Sequence, residues 1–255
     1  GSTSAWSGLP DWRKYLEIIN PTSDIATELR HYQVGQVVSL DDPRFSATNV
    51  RWGLWVPQEF LPDTGAGLYF LQDYASDKTP ILFVHGSGGN PTDFRLLIEG
   101  LDRSRYQPWV YFYPTGTRLE RQSELLGHMV AVLQNQLGFR QLCVLAHSMG
   151  GLIARGAIAE AVKRSTPLEF PTFMTLSTPW QGHAGAEKGV AQSPAVVPAW
   201  RDMAPSSPFL KKIWEIPLPE KTAYYLIFGY RGDFSLMINR NNDGAVSLAS
   251  ELDPR

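Results

Sequence analysis

The stretch QLCVLAHSMGGLIAR, Gln141 to Arg155, changes from strand chemistry to helix chemistry at a single residue, Ser148. Leu142 to Ala146 is a short, bounded apolar run, the pattern of a strand buried on both faces in a parallel sheet. Gly150 and Gly151 then open a helix that runs to about Arg164. A sharp strand-to-helix turn strains the backbone at its corner and crowds the flanking positions, so the residues two before and two after the serine must be small. Ala146 and Gly150 are small. Cys143, the single cysteine, reads as a small buried hydrophobe in the strand, and no disulfide can form within the chain.

Working outward, Pro80 to Gly86 (PILFVHG) is a second buried strand, and it ends in the glycine-rich loop Gly86 to Pro91. Upstream, Gly67 to Leu71 predicts a strand, while the rest of Tyr32 to Leu71 is broken by Asp42-Pro43, Val56-Pro57 and Leu61-Pro62. Trp52, Trp55 and Phe60, at near-helical spacing, read as core. Downstream, Asp93 to Arg103 predicts a helix with Phe94, Leu97, Ile98 and Leu101 facing inward. Trp109 to Tyr113 predicts a strand. Leu119 to Leu137 predicts a long amphipathic helix on Leu125, Met129, Leu133 and Leu137, with His128 on its solvated side and Gly138 as its stop. Thr172 to Leu176 and Ala223 to Gly229 are further strands. Strands and helices thus alternate, which predicts an α/β fold: a doubly wound, mostly parallel sheet covered on both faces.

Two regions break the rhythm. Residues 182–222 carry Pro194, Pro198, Pro205, Pro208, Pro217 and Pro219 among Trp200, Phe209 and Trp214, with one short helix expected near Ser207 to Trp214. A connection of that length reads as a lid or binding segment, or as a cap over the end of the core. Residues 1–33 read as an N-terminal arm, with an amphipathic helix from Asp11 to Arg30 interrupted at Asn20-Pro21.

At 255 residues the chain holds one large domain. Lysine plus arginine (23) and aspartate plus glutamate (25) nearly cancel, which removes the electrostatic case for a nucleic-acid partner. No apolar run approaches the ~20 residues of a membrane-spanning helix. The opening Gly1-Ser2-Thr3-Ser4 resembles a cloning remnant, so a signal peptide or lipid anchor could have preceded it.

Four short motifs carry a family resemblance over roughly Val34 to Arg255: Ala146-His147-Ser148-Met149-Gly150-Gly151, Val84-His85-Gly86, Ser177-Thr178-Pro179 and Asn242-Asp243-Gly244. Together they resemble bacterial lipases and carboxylesterases of the α/β-hydrolase fold. The resemblance implies Ser148 as nucleophile at the elbow, the backbone N–H groups of Ser87 and Met149 as an oxyanion hole, and Asp243 as the acid, with Asp233 as its rival. It implies His85 as a support for the loop, and hydrolysis of lipid or acyl esters through an acyl-Ser148 intermediate with no metal or organic cofactor. The partner it implies is a small-molecule acyl ester or lipid, with peripheral membrane contact and a periplasmic, lipid-anchored or secreted location.

A serine hydroxyl needs a general base, and in this family's order of serine, acid and histidine the base comes last. None of the residues after Asp243 is a histidine. His31, His85, His128, His147 and His183 precede it, and of these only His183 lies on a loop near the strand ends. The expectation is that the base was cut off, disordered or supplied by a separate fragment, with His183 as the substitute. The alternative is a catalytically silent hydrolase-fold protein that binds an acyl ligand or a protein partner.

Overall fold

The computed structural model describes residues 24–57, 60, 64–164, 167–193, 196–230, 242–243 and 245–252. Most of the helix expected from Asp11 lies outside them, as do Asp233 and Gly244.

The chain opens with α1 (Asp24–Leu29) and β1 (Gln33–Val37), followed by α2 (Ala47–Trp55), β2 (Gly67–Phe70), β3 (Thr79–Val84) and α3 (Arg95–Glu99). It continues through β4 (Tyr106–Phe112), α4 (Leu119–Leu137), β5 (Cys143–His147), α5 (Met149–Lys163) and β6 (Thr172–Leu176). α6 (Ala184–Gln192), α7 (Pro198–Met203), α8 (Pro208–Glu215), β7 (Ala223–Ile227) and α9 (Leu248–Glu251) complete it. The strands form one seven-stranded sheet in the order β1-β2-β4-β3-β5-β6-β7. β4, β3, β5, β6 and β7 are mutually parallel, and β2 joins β4 antiparallel. This is the α/β-hydrolase arrangement, with β3 and β5 adjacent at its centre.

The long helix predicted at Leu119 to Leu137 forms with those bounds, and Gly138 ends it in the left-handed region at φ 71°, as a glycine cap does. Its N-terminus is capped from a distance. The buried Asp202 carboxylate accepts from the Leu119 N–H (2.7 Å) and pairs with Arg118, which ties α7 to the start of α4. Leu126, Val130, Ala154, Ala157 and Ile158 of α4 and α5 cover one face of β3 and β5.

Several expectations are corrected. β5 is not buried on both faces: Val144 and Ala146 are buried, while Cys143 and Leu145 are half-buried and His147 is exposed. The same alternation continues through β6 and into β7, where Tyr225 and Ile227 are exposed, so this end of the sheet has one covered and one open face. Trp52 and Trp55 are exposed on α2, and only Phe60 of that trio is core. Leu97 is exposed as well, while Phe94, just before α3, and Ile98 within it are buried. His128 is buried, with Nδ1 against Glu124 O (2.7 Å) and the Arg164 guanidinium on its other side. β1 went unread because its alternation is interrupted at Gly35 (φ 76°), where the pairing with β2 bulges. Residues 182–222 are more regular than their prolines suggest, because Pro198 and Pro208 occupy the first turns of α7 and α8, where a missing N–H costs nothing.

Candidate active site

Ser148 sits between β5 and α5 at φ 51° and ψ −127°. Among the described residues, Ser177 (φ 46°) is the one other non-glycine with positive φ. The small neighbours are required by close packing. A Cβ on Gly150 would stand 2.4 Å from the carbonyl oxygens of both His85 and Val84. One on Gly151 would stand 2.0 Å from Thr178 Oγ1, and one on Gly86 would stand 3.0 Å from Ser148 Cβ. The elbow, the His85-Gly86 loop and the Ser177-Thr178-Pro179 turn therefore interlock. The Ser148 N–H donates to Leu176 O (2.8 Å), and Thr178 Oγ1 donates to Ser148 O (3.1 Å). Ser148 is half-buried, and its hydroxyl is bonded by no described residue.

The loop after β3 is braced from beneath. His85 is fully buried, stacks on Tyr113 at 4.4 Å and has Nδ1 3.0 Å from Gly86 O, while the Tyr113 hydroxyl donates to His85 O (2.7 Å). Burial lowers the His85 pKa to about 4, so the ring is neutral and serves as a support, as expected. Gly88 N–H donates to Thr115 Oγ1 (3.2 Å) and Gly89 N–H to Gly86 O (3.2 Å). The N–H groups of Ser87 and Met149 donate to no acceptor among the described residues. Met149 is the first residue of a 15-residue helix, whose positive end favours an anion.

Asp243 lies at the carboxyl ends of β6 and β7. A Cβ on Gly229, two residues past β7, would stand 2.9 Å from Asp243 Cβ and 3.5 Å from Ser177 Oγ. Successive strand ends are stitched together, Ser148 N–H to Leu176 O and Ser177 N–H to Ile227 O, both at 2.8 Å. Ser148 and Asp243 thus stand at neighbouring strand ends, with the end of β6 between them. Asp243 Oδ1 accepts from Val246 N–H (2.6 Å) and Ala245 N–H (2.8 Å) in a tight turn. Partial burial works against ionisation, but these two N–H groups, the Ser177 hydroxyl and Glu251 outweigh it and lower the Asp243 pKa.

No histidine hydrogen-bonds to Ser148 or Asp243. His183, the substitute expected from sequence, has both ring nitrogens engaged: Nδ1 accepts from Ala186 N–H (3.2 Å) as the cap of α6, and Nε2 donates to Ala245 O (2.7 Å). It holds the acid turn in place from outside. His31 is exposed beyond α1, and His128 is buried between α4 and Arg164. His147 is exposed with Nδ1 beside Gly86, 3.2 Å from where a Cβ would stand. Among the described residues no group of histidine, cysteine, aspartate and glutamate could hold a metal ion.

Ser177, Thr178 and Glu251 take no role from the sequence alone. The Ser177-Thr178-Pro179 motif was visible, but only the geometry shows that Ser177 meets Asp243 and that Thr178 fills the space left by Gly151. Glu251 carried no signal, since a glutamate near a helix end is ordinarily solvated.

Residues 76–211 match the family described as "Putative serine esterase (DUF676)". No curated relative matches the sequence. Among solved structures, the mature form of the Bacillus licheniformis lipase BlEst2 is similar in fold, with a TM-score of 0.54 at 17% identity, over 72% of this chain and 82% of that one. The propeptide form of the same lipase gives a TM-score of 0.53 at 18% identity, over 72% of this chain and 45% of that one.

Proposed function

Since the chain belongs to this serine esterase family, we propose that it hydrolyses carboxylic esters of lipid or acyl substrates through an acyl-Ser148 intermediate. The observation that carries the proposal is the Ser148 corner: a strained, half-buried serine whose hydroxyl no described residue bonds, at a helix N-terminus, against a glycine loop. Ser148 Oγ attacks the ester carbonyl, and the oxyanion that forms accepts from the uncommitted N–H groups of Ser87 and Met149. One such donor is typically worth about 3 kcal/mol of transition-state stabilisation. A base between Ser148 and Asp243 would pass the Ser148 proton to the leaving oxygen, so that the alcohol departs; it would then take a proton from water, which releases the carboxylic acid, and return it to Ser148. Asp243, held ionised in its turn, is the acid that would orient and stabilise a base standing between it and Ser148.

An acyl substrate is supported by the apolar rim on the same side of the sheet. Gly116, beyond the carboxyl end of β4, accepts from Ala199 N–H (3.1 Å) and donates to Gly53 O (2.8 Å), which brings α2 and α7 together. Their exposed and half-buried tryptophans, Trp55 and Trp200, meet edge-on at 6.3 Å. Such a ridge suits an acyl chain or the surface of a lipid aggregate, the peripheral contact expected from sequence. Residues 182–222 would then act as a binding cap.

The absence of any histidine bonded to Ser148 or Asp243 favours a second reading, a silent hydrolase-fold protein that binds an acyl ligand. One experiment separates the two. The protein is mixed with a 4-nitrophenyl ester, with and without added imidazole, beside Ser148→Ala. The esterase reading expects a stoichiometric burst from Ser148 and turnover that imidazole accelerates beyond its effect on the variant. No burst, no acyl adduct on Ser148 by mass spectrometry and no imidazole effect above that of the variant would leave the binding reading.

A further inference from the structure

Glu251 is the last residue of α9, and its side chain is only 1% exposed. A carboxyl group in such a place is normally paired with a cation or satisfied by several N–H donors. Here, among the described residues, neither Oε1 nor Oε2 receives a hydrogen bond from a donor group. What Glu251 faces is the Asp243 carboxylate. From the end of β7 it meets only the backbone of Gly229, whose N–H is aimed at Ser177 Oγ (3.2 Å), and no lysine, arginine or histidine among the described residues adds to the local charge.

The placement is built. Ser247 caps α9, the Ser250 hydroxyl donates to Gly182 O (2.7 Å), and Ser250 O accepts from Trp180 N–H (3.0 Å). Ser250 Oγ also accepts from Gln181 N–H (3.1 Å). Trp180, Gln181 and Gly182, in the turn after β6, are therefore bound to α9, whose last residue is Glu251. A buried carboxyl group facing a second one, with no counter-ion among the described residues, favours the state in which one of the two keeps a proton. Asp243 has two N–H donors on Oδ1, whereas among the described residues Glu251 has at most the Gly229 backbone, which favours Glu251 as the holder of the proton.

We propose that Glu251 is a positioning residue: protonated, it donates a hydrogen bond to Asp243 and holds that carboxylate, as a single anion, at the carboxyl edge of the sheet. Its role in catalysis rests on the esterase reading; its protonation does not. Burial first, then the Asp243 charge and the shared proton, raise the Glu251 pKa from 4.5 to about 8. A folded-state value above the unfolded one makes a contribution to stability that is fully present below about pH 4.5 and is lost as pH rises through about 8.

The test uses the whole protein and two variants. Glu251→Gln keeps a neutral donor of the same shape but cannot ionise, whereas Glu251→Ala removes the donor. In thermal unfolding from pH 5 to pH 9, the wild type is expected to lose stability relative to Glu251→Gln as pH rises. Carboxyl carbon NMR should show Glu251 titrating well above the ordinary glutamate range. The rate of Ser148 acylation by the 4-nitrophenyl ester, taken as the ratio of wild type to Glu251→Gln, should fall about tenfold between pH 7 and pH 9. Glu251→Ala should be slower than Glu251→Gln throughout. Parallel stability curves, or a Glu251 carboxyl that titrates below pH 5, would overturn the proposal. Diverging stability curves with no acylation of Ser148 in any variant would sink the esterase reading while leaving the shared proton in place.

Discussion

Replacing Ser148 should make the protein more stable, provided the replacement is glycine. Ser148 stands at φ 51° and ψ −127°, the mirror image of the extended region, where an L side chain is strained and glycine is not. Strain of this kind costs on the order of 1–3 kcal/mol. Glycine gives back about 0.5–1 kcal/mol through the greater freedom of its unfolded chain. The hydroxyl makes no hydrogen bond to a described residue, so its loss adds little. Ser148→Gly should therefore gain about 1 kcal/mol, or roughly 3 °C in unfolding midpoint for a domain of this size. Ser148→Ala keeps the Cβ and the strain, so it should stay within about 0.5 kcal/mol of the wild type. Calorimetry or urea unfolding of the three proteins at one pH makes the comparison. A Ser148→Gly protein less stable than Ser148→Ala would refute the claim that the corner stores strain.

Asp243→Asn should leave the fold intact and cut imidazole-assisted turnover by orders of magnitude, read from steady-state rates beside circular dichroism. Asp202→Ala should destabilise by about 3 kcal/mol in chemical unfolding, because it strips a buried carboxylate from Arg118 and uncaps α4. Gly150→Ala should fail to give soluble folded protein or lose several kcal/mol, since its Cβ meets two backbone oxygens rather than a yielding side chain. His85 should remain neutral on acidification to about pH 4 in nitrogen NMR, and the stability it contributes is present above about pH 6.5 and lost as pH falls towards 4. An imidazolium signal from His85 at pH 6 would contradict its burial.

The parts of this molecule legible in its sequence are those where local rules and tertiary needs coincide. α4 shows an unbroken stripe and a glycine stop, and β3 and β5 are bounded apolar runs, so their existence could be read. β1 could not, because its bulge at Gly35 erases the alternation. Trp52 and Trp55 misled because a periodic apolar face says that something is covered, not that the core does the covering. At the site, Ser148 was legible through the spacing of small residues that its strain demands. Glu251 was not, since its meaning lies in one neighbour eight positions back in the chain and in burial that no pattern in α9 announces. His183 looked like a base by position, and only the two hydrogen bonds on its ring show that it is a strut.

The close approaches at Gly86, Gly150 and Gly151 have a consequence for how such signatures are used. Each glycine answers to a backbone or side-chain atom of another segment, Gly150 and Gly151 to atoms of residues other than Ser148 and Gly86 to the Cβ of Ser148 rather than to its hydroxyl. A descendant of this chain that had lost every trace of activity would still need all three in order to fold. The glycines of a serine-hydrolase signature are thus a census of who shares the architecture. Whether a member still performs chemistry has to be asked of Ser148, of the carboxyl pair beside it, and of whatever comes to stand between them.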